Sequence, residues 1–416
     1  MKFSVKGGHR LGGEMTLQGA KNSILPILAA CVLCRGEVIL HNCPDLSDVA
    51  SAIKILEHLG LSVTRSEDTI CILCDRINGC EVPEKLMREM RSSVVFLGAI
   101  LSRTGCARVS MPGGCELGPR PIDIHISALK KLGASIEDDR GVLRCSVPKA
   151  LKGTHIALWF PSVGATENTI LASVLAKGTT VITNAAREPE IVDLARFLNA
   201  CGARVRGAGS STVVVEGVSR LRGCEYSIMP DRIAAVTFLA ASAMTNGDIL
   251  LRGTEREDIT SVLSCFEQAG CEVYALRDSI RLKAPQKVCA MNIIKTMPYP
   301  GFPTDAQAPI MALACIAEGT TMFVETIFEN RYRHVGELLR MGADIKTEGK
   351  VAVVNGVARL HSAAVSCTDL RGGAALVLAA LSAEGESIIS DIEHIERGYQ
   401  HIERDLCSLG AQVERI

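Results

Sequence analysis

The sequence predicts an α/β protein built from six copies of one unit, each with a buried inner helix, an amphipathic outer helix and several strands. Three observations predict it. A helix-like run that closes on glycine and leads into an alternating run recurs six times, at Gly60, Gly133, Gly202, Gly270, Gly342 and Gly410. A second, almost wholly apolar helical run recurs with the same spacing. Apolar residues make up 47% of the 416, enough for a sizeable core.

The first signature reads LEHLG, LKKLG, LNACG, FEQAG, LLRMG and CSLG. Glycine placed there ends a helix in the left-handed conformation. The runs that follow (LSVT, ASIE, ARVR, CEVY, ADIK and AQVE) alternate as half-buried strands do. The second signature reads ILPILAACVLCRG, VVFLGAILSRTG, TILASVLAKG, AVTFLAASAMTNG, PIMALACIAEG and ALVLAALSAEG. A helix apolar all round is buried on every side, whereas the amphipathic one covers the outside. A period of about 70 residues is too long for a solenoid unit and right for a small α/β subdomain. Six units make either one large assembly or two groups of three.

The residues before each inner helix are Lys21–Asn22–Ser23, Arg91–Ser92–Ser93, Ser162–Val163–Gly164, Asp231–Arg232, Thr304–Asp305 and Asp369–Leu370–Arg371. N-capping accounts for Ser, Thr and Asp. It does not account for Lys21, Arg91, Arg232 or Arg371, because a cation at a helix N-terminus opposes the macrodipole. An anion bound there would favour both cation and dipole.

One stretch has a shape specified by Pro and Gly, Met111–His125, MPGGCELGPRPIDIH. It sets the thiol of Cys115 near the guanidinium of Arg120, in a loop where Pro fixes φ and Gly frees it. A thiol near a cation gains thiolate character.

Composition excludes several classes. The net charge of −1 argues against non-specific nucleic-acid binding, so any cations that handle anions must be concentrated locally. Met1 runs into the strand-like KFSVKG with no signal-peptide pattern, and no apolar run is long enough to span a membrane. The 17 cysteines are expected as free thiols in a reducing cytoplasm. Cys31–Cys34 and Cys71–Cys74 have CxxC spacing, yet no His or Cys set follows to complete a metal site. They are expected as small core residues. Gly207 and Gly209 read as a hairpin turn and not as a dinucleotide loop, since no helix follows. His394 and His401 are expected on one polar helical face with Glu396 and Glu403. Trp159 and Phe160 could be core or pocket wall.

GGCELGPRPIDIH, GAKNSILPILAA, PSVGATENTILA, NAAREPEIVDLA, GFPTDAQAP, FENRYRHV, TDLRGGAALVLA and ERGYQHIE together resemble the UDP-N-acetylglucosamine 1-carboxyvinyltransferases. These enolpyruvyl transferases belong to the EPSP synthase superfamily and perform the first committed step of peptidoglycan synthesis. The resemblance covers essentially the whole chain. It implies an inside-out α/β barrel fold, with two similar domains, each of three βαβαββ-type repeats around buried parallel helices. One domain would be 21–229, carrying the Cys115 loop. The other would join 1–20 to 230–416, the two connections forming a hinge and the active site lying in the interdomain cleft.

The implied reaction moves the enolpyruvyl group of phosphoenolpyruvate to the 3-hydroxyl of UDP-N-acetylglucosamine and releases phosphate. By resemblance, Lys21, Asn22, Arg120 and Arg397 bind phosphoenolpyruvate, with Arg331 and Arg371 close by. Arg suits bidentate binding of carboxylate and phosphate. Cys115 matches the general acid that protonates the methylene carbon, and Asp305 the base for the hydroxyl; Asp305 could also cap its helix. Asp369 is a second acidic candidate, and Lys21 and Arg397 join the catalytic set. The nucleotide sugar would be held by Asn22, Arg91, Arg120, Pro121, Ile122, Asp123, Ile124, Ser162, Val163, Gly164, Asp305 and Ile327. Exposed amides at Ser162–Val163–Gly164 can bind a diphosphate without side-chain charge. The resemblance implies no cofactor, no metal, no nucleic acid, no membrane and a cytoplasmic location. The Cys115 loop is expected to close over bound nucleotide sugar.

Three positions depart from the family pattern: Phe160 stands where some members carry Lys, Val95 replaces an aromatic, and PDRIAAVT lacks the usual Glu-Ala-Gly after Arg232. They bear on affinity and not on reaction type. Alternatives are a shikimate-type enolpyruvyl transferase, whose small acceptor needs its own phosphate ligands, and a non-catalytic UDP-sugar-binding paralogue.

Overall fold

The six glycines that close the outer helices have φ between +88° and +102°, so each helix stops where only glycine turns left-handed without strain. The computed structural model describes residues 1–90, 92–110 and 122–416. Its helices are α1 (Lys21–Cys31), α2 (Ser47–His58), α3 (Glu84–Glu89), α4 (Phe96–Thr104), α5 (Asp123–Lys131), α6 (Val163–Ser173) and α7 (Pro189–Ala200). They continue with α8 (Arg232–Met244), α9 (Arg256–Gln268), α10 (Gln307–Ala314), α11 (Val335–Arg340), α12 (Leu370–Ser382) and α13 (Ile402–Ser408). The apolar runs become α1, α4, α6, α8, α10 and α12. Every residue of α8 and α10 is buried, as expected of helices with no polar face. The short α3 is an addition that the repeat pattern did not signal.

One repeat shows how the unit is wired. His155–Ala157 leads through α6 to Thr179–Thr183, with which it pairs in parallel. Then α7 leads to the hairpin Arg204–Arg206 and Thr212–Glu216, whose second strand pairs antiparallel with both its partner and Thr179–Thr183. The parallel pair needs a crossover helix and the antiparallel pair only a turn, which gives the order β-α-β-α-β-β. The other sheets repeat this spatial arrangement, although two of them take a strand from the opposite end of the segment.

The chain divides into two compact units, each with its own apolar core. One joins Met1–Gln18 to Pro230–Ile416; the other comprises the described residues of 19–229. The division falls two residues before the expected Ala20. Gly19 lies so close to the backbone of Asn42 that a Cβ would sit 1.8 Å from its carbonyl oxygen, and the Ala20 amide donates to Met229 O at 2.7 Å. In the first unit, Lys2–Lys6 pairs with Glu386–Ser390 and Gln412–Arg415. In the second, Leu221–Arg222 and Glu225–Ser227 pair with Cys34–His41. Each unit thus completes a sheet with strands from opposite ends of its own segment.

Two expectations need correction. The thiols are not all free, because Cys80 and Cys106 form a disulfide with Cα atoms 5.8 Å apart. Parallel pairing of Glu81–Val82 with Arg108–Val109 brings them there, and the Arg108 amide donates to Cys80 O at 2.8 Å. His394 and His401 do not share a helix: His394 lies in a 3-10 turn, Ile392–Arg397, and His401 precedes α13. Elsewhere Cys31 ends α1 and Cys34 opens a strand, both buried. Burial pushes the Cys265, Cys271 and Cys315 thiols up to about 12. Trp159 is exposed, while Phe160 is half-buried against the core. No helix among the described residues is long and apolar enough to cross a membrane.

Candidate active site

In the 19–229 unit, the chain enters α1 at Ala20, which offers no side-chain cap. Lys21, at the first position, would oppose the helix dipole. Its Nζ lies 2.8 Å from Asp48 Oδ2, in the first turn of α2, with side-chain exposures of 11% and 4%. Ser23, two residues on, donates its hydroxyl to Asp193, which also accepts from Tyr226 OH at 2.6 Å and the Met229 amide at 3.3 Å. Burial raises the Asp193 pKa, and these donors and Arg196 offset only part of the rise. Asn22, between these two anchored residues, is half-buried.

At α6, Ser162 caps the helix by accepting from the Ala165 amide at 3.3 Å. A Cβ on Gly164 would stand 3.1 Å from the ring of His125. Asn168 Nδ2 donates to Val94 O at 2.8 Å and lies 3.0 Å from His125 Nδ1, so Nδ1 accepts and the ring proton belongs on Nε2. Burial pulls the His125 pKa down to about 4 against Asp123, so the ring is neutral at pH 7. Ile122 precedes α5 and Asp123 and Ile124 open it.

The 1–18/230–416 unit gathers four of the expected site residues. Asp305 sits in a 3-10 turn, Thr304–Ala306, that leads into α10, and its side chain makes no cap. The expected capping role therefore fails, because the carboxylate turns to two guanidiniums instead. Arg331 Nη2 donates to Oδ1 at 3.0 Å and Arg371 Nη2 to Oδ2 at 3.3 Å. Arg331 also donates from Nε and Nη2 to Thr304 O, at 3.2 and 2.8 Å. Both guanidiniums are 2% exposed, against 28% for Asp305.

Asp369 caps α12, accepting from the Arg371 and Gly372 amides at 3.1 and 3.0 Å. Burial pushes its pKa up, yet Arg331, His334 and those amides outweigh it and hold the carboxyl below its ordinary value. Arg371 Nε and Nη1 are buried and find no hydrogen-bond acceptor among the described residues. The Tyr399 ring centroid lies 5.3 Å from that guanidinium. His334 is fully buried, and burial lowers its pKa to about 4. Arg397 ends its 3-10 turn half-buried, and Ile327 follows the strand Thr320–Val324. Arg232 is buried at the start of α8, its guanidinium 5.7 Å from the Tyr299 ring.

Asp305, Arg331, Arg371 and Asp369 thus come together in one unit, and Lys21, Asn22 and Ser162–Gly164 stand at two helix starts of the other. Arg91, Cys115, Arg120 and Pro121 lie outside the described residues. Sequence reasoning missed Asp48, Asp193 and His334. Asp193 and His334 lie inside the quoted NAAREPEIVDLA and FENRYRHV, and Asp48 in an amphipathic run, but nothing in the sequence set them apart from capping or surface polar residues. Chemically, a carboxylate fixed between two arginines can take a proton from a hydroxyl set against it. Buried guanidinium hydrogens without acceptors suit an oxyanion. Among the described residues no group of three or more His, Cys, Asp or Glu is placed to hold a metal.

Residues 5–406 match the family described as EPSP synthase (3-phosphoshikimate 1-carboxyvinyltransferase). The chain is 50% identical over 415 residues to UDP-N-acetylglucosamine 1-carboxyvinyltransferase 2 of Caldanaerobacter subterraneus subsp. tengcongensis, covering 100% of this chain and 99% of that one. It is 51% identical over 420 residues to UDP-N-acetylglucosamine 1-carboxyvinyltransferase 1 of Symbiobacterium thermophilum, covering 100% and 95%. Its fold is similar to that of the enolpyruvyl transferase NikO from Streptomyces tendae, with a TM-score of 0.89 at 23% identity over 99% and 98% of the two chains. EPSP synthase from Acinetobacter baumannii gives a TM-score of 0.77 at 18% identity over 100% of both. The fold is the two-domain inside-out α/β fold of these transferases.

Proposed function

The chain belongs to the EPSP synthase family, among its UDP-N-acetylglucosamine 1-carboxyvinyltransferases, and from that premise we propose that it transfers the enolpyruvyl group of phosphoenolpyruvate to the 3-hydroxyl of UDP-N-acetylglucosamine. Phosphate is the other product. The observation that carries this reading is the Asp305 carboxylate held between Arg331 and Arg371.

The chemistry follows from atom balance. Cys115 delivers a proton to the methylene carbon of phosphoenolpyruvate, and the sugar oxygen bonds to the adjacent carbon as Asp305 takes the hydroxyl proton. Loss of phosphate with a proton from the former methylene carbon restores the double bond. Lys21, Arg120 and Arg397, with Arg331 and Arg371, balance the carboxylate and phosphate charges. Asn22, Arg91, 120–124, Ser162–Gly164, Asp305 and Ile327 hold the nucleotide sugar, the α6 amides facing its diphosphate. Asp369 acts through Arg371, whose amide it holds. The steps are proton transfers and charge stabilisation, and call on no cofactor. In the cell this is the committed step of peptidoglycan synthesis, in the cytoplasm where both substrates are made, and it bears on cell shape and division.

The test is phosphate release from phosphoenolpyruvate with UDP-N-acetylglucosamine against shikimate 3-phosphate, for wild type and Cys115→Ser. Turnover with the nucleotide sugar alone, abolished or strongly reduced in the variant, is expected. Turnover with shikimate 3-phosphate alone overturns the acceptor assignment.

A further inference from the structure

Glu325 is 1% exposed, in a loop between the strand Thr320–Val324 and Arg331, and no role in the reaction described above uses it. Burying a carboxylate is unfavourable unless donors surround it. Four do. Oε1 accepts from Thr296 Oγ1 at 2.9 Å, the Ile327 amide at 2.7 Å and the Phe328 amide at 3.0 Å; Oε2 accepts from Thr304 Oγ1 at 3.0 Å. Thr296 is itself fixed, accepting from the Thr326 amide at 2.8 Å, while its carbonyl takes the Thr326 hydroxyl at 2.5 Å.

Three of the donors belong to two segments that the proposed reaction needs in register. Thr304 immediately precedes Asp305, and its carbonyl accepts from Arg331 Nε and Nη2. Ile327 is one of the nucleotide-sugar contacts. A single buried carboxylate therefore ties the loop of the base to the loop of an acceptor contact. We infer that Glu325 is a positioning residue: it holds Asp305 and Ile327 in one fixed relation, so that the acceptor hydroxyl meets its base. This rests on the functional reading above. A carboxylate suits the task because it is acceptor-only and can take two amides and two hydroxyls at once. A neutral amide keeps Oε1 and its three donors, and the Thr304 hydroxyl can rotate to accept from the new NH2.

The experiment compares kcat for phosphate release and KM for UDP-N-acetylglucosamine in wild type, Thr304→Val, Glu325→Ala and Glu325→Gln, with hydrogen exchange of the 304–306 and 327–328 amides. Thr304→Val cuts only the link to the base, so kcat falls about tenfold while KM stays within about twofold. Glu325→Ala cuts both links, so kcat falls about a hundredfold and KM rises as well. Glu325→Gln recovers most of both, a rescue that a merely structural role does not predict. Where Glu325→Ala fails to fold, Thr304→Val and Glu325→Gln decide. Wild-type kcat in Thr304→Val, or melting temperatures that fall with kcat and KM unmoved, overturns the inference. A wild type inactive on these substrates sinks the functional reading instead; faster exchange at both segments in Glu325→Ala then still supports the positioning role, and unchanged exchange refutes it.

Discussion

Lys21 Nζ and Asp48 Oδ2 stand 2.8 Å apart at the facing starts of α1 and α2, a buried ion pair. Asp48 gives Lys21 a reason to sit at a helix start whose dipole repels it.

Asp48→Ala is therefore expected to destabilise the protein by about 1.5–3 kcal/mol, since it removes a buried charged hydrogen bond. Urea unfolding measures it. KM for phosphoenolpyruvate is expected to rise about tenfold, the loss of one well-placed charged hydrogen bond. An Asp48→Ala protein with wild-type stability and KM counts against the pair as an anchor.

Asp305→Asn keeps the shape but loses the base. We expect kcat for phosphate release to fall by about two to four orders of magnitude, with KM for phosphoenolpyruvate little changed. If KM alone rises, Asp305 binds substrate and does not take the proton.

Two glycines at helix contacts separate fold from binding. A Cβ on Gly98 of α4 would lie 2.3 Å from the backbone oxygen of Asn168 in α6, which cannot retreat. Gly98→Ala should destabilise by about 1–3 kcal/mol or prevent folding. Gly164→Ala meets only the edge of the His125 ring at 3.1 Å. It is expected to fold, and to show a raised KM for UDP-N-acetylglucosamine. Equal melting temperatures for Gly98→Ala and wild type would contradict the packing.

His334 predicts a pH signature. Burial, aided by Arg331 and opposed by Asp369, brings its pKa from 6.5 to about 4. The unfolded chain thus holds a proton between those values that the folded chain does not. Stability contributed by the neutral ring is full above pH 6.5 and is lost as pH falls towards 4. Relative to wild type, His334→Leu should gain up to about 3 kcal/mol of stability on going from pH 7 to pH 4. Asp405, pushed up to about 6, acts in the opposite direction and is common to both proteins. Parallel pH–stability curves for the two would refute a buried neutral His334.

Much of the architecture was legible because period and glycine are local properties. The six closing glycines and the alternating strands after them stand where their residues predicted, and each apolar run holds a helix, although α1, α6 and α10 stop about five residues before their glycines and Cys34 opens a strand. A helix with no polar face has one place to go, and a left-handed turn has one residue that enters it freely. Asp305, Arg331 and Arg371 were legible as a set only through their likeness to a family.

What the chain's own residues determined is the unit: which helices are buried, where each stops, and how often the pattern returns. What only the tertiary structure decided is who meets whom across long separations. Asp305 turning from its own helix to Arg331 and Arg371, Lys21 meeting Asp48, Cys80 joining Cys106 and Glu325 spanning two loops are examples. The reason is physical. Helix and strand preferences depend on neighbours within a few positions, whereas a buried charge is tolerated only by partners that packing brings to it, and packing depends on the whole chain at once.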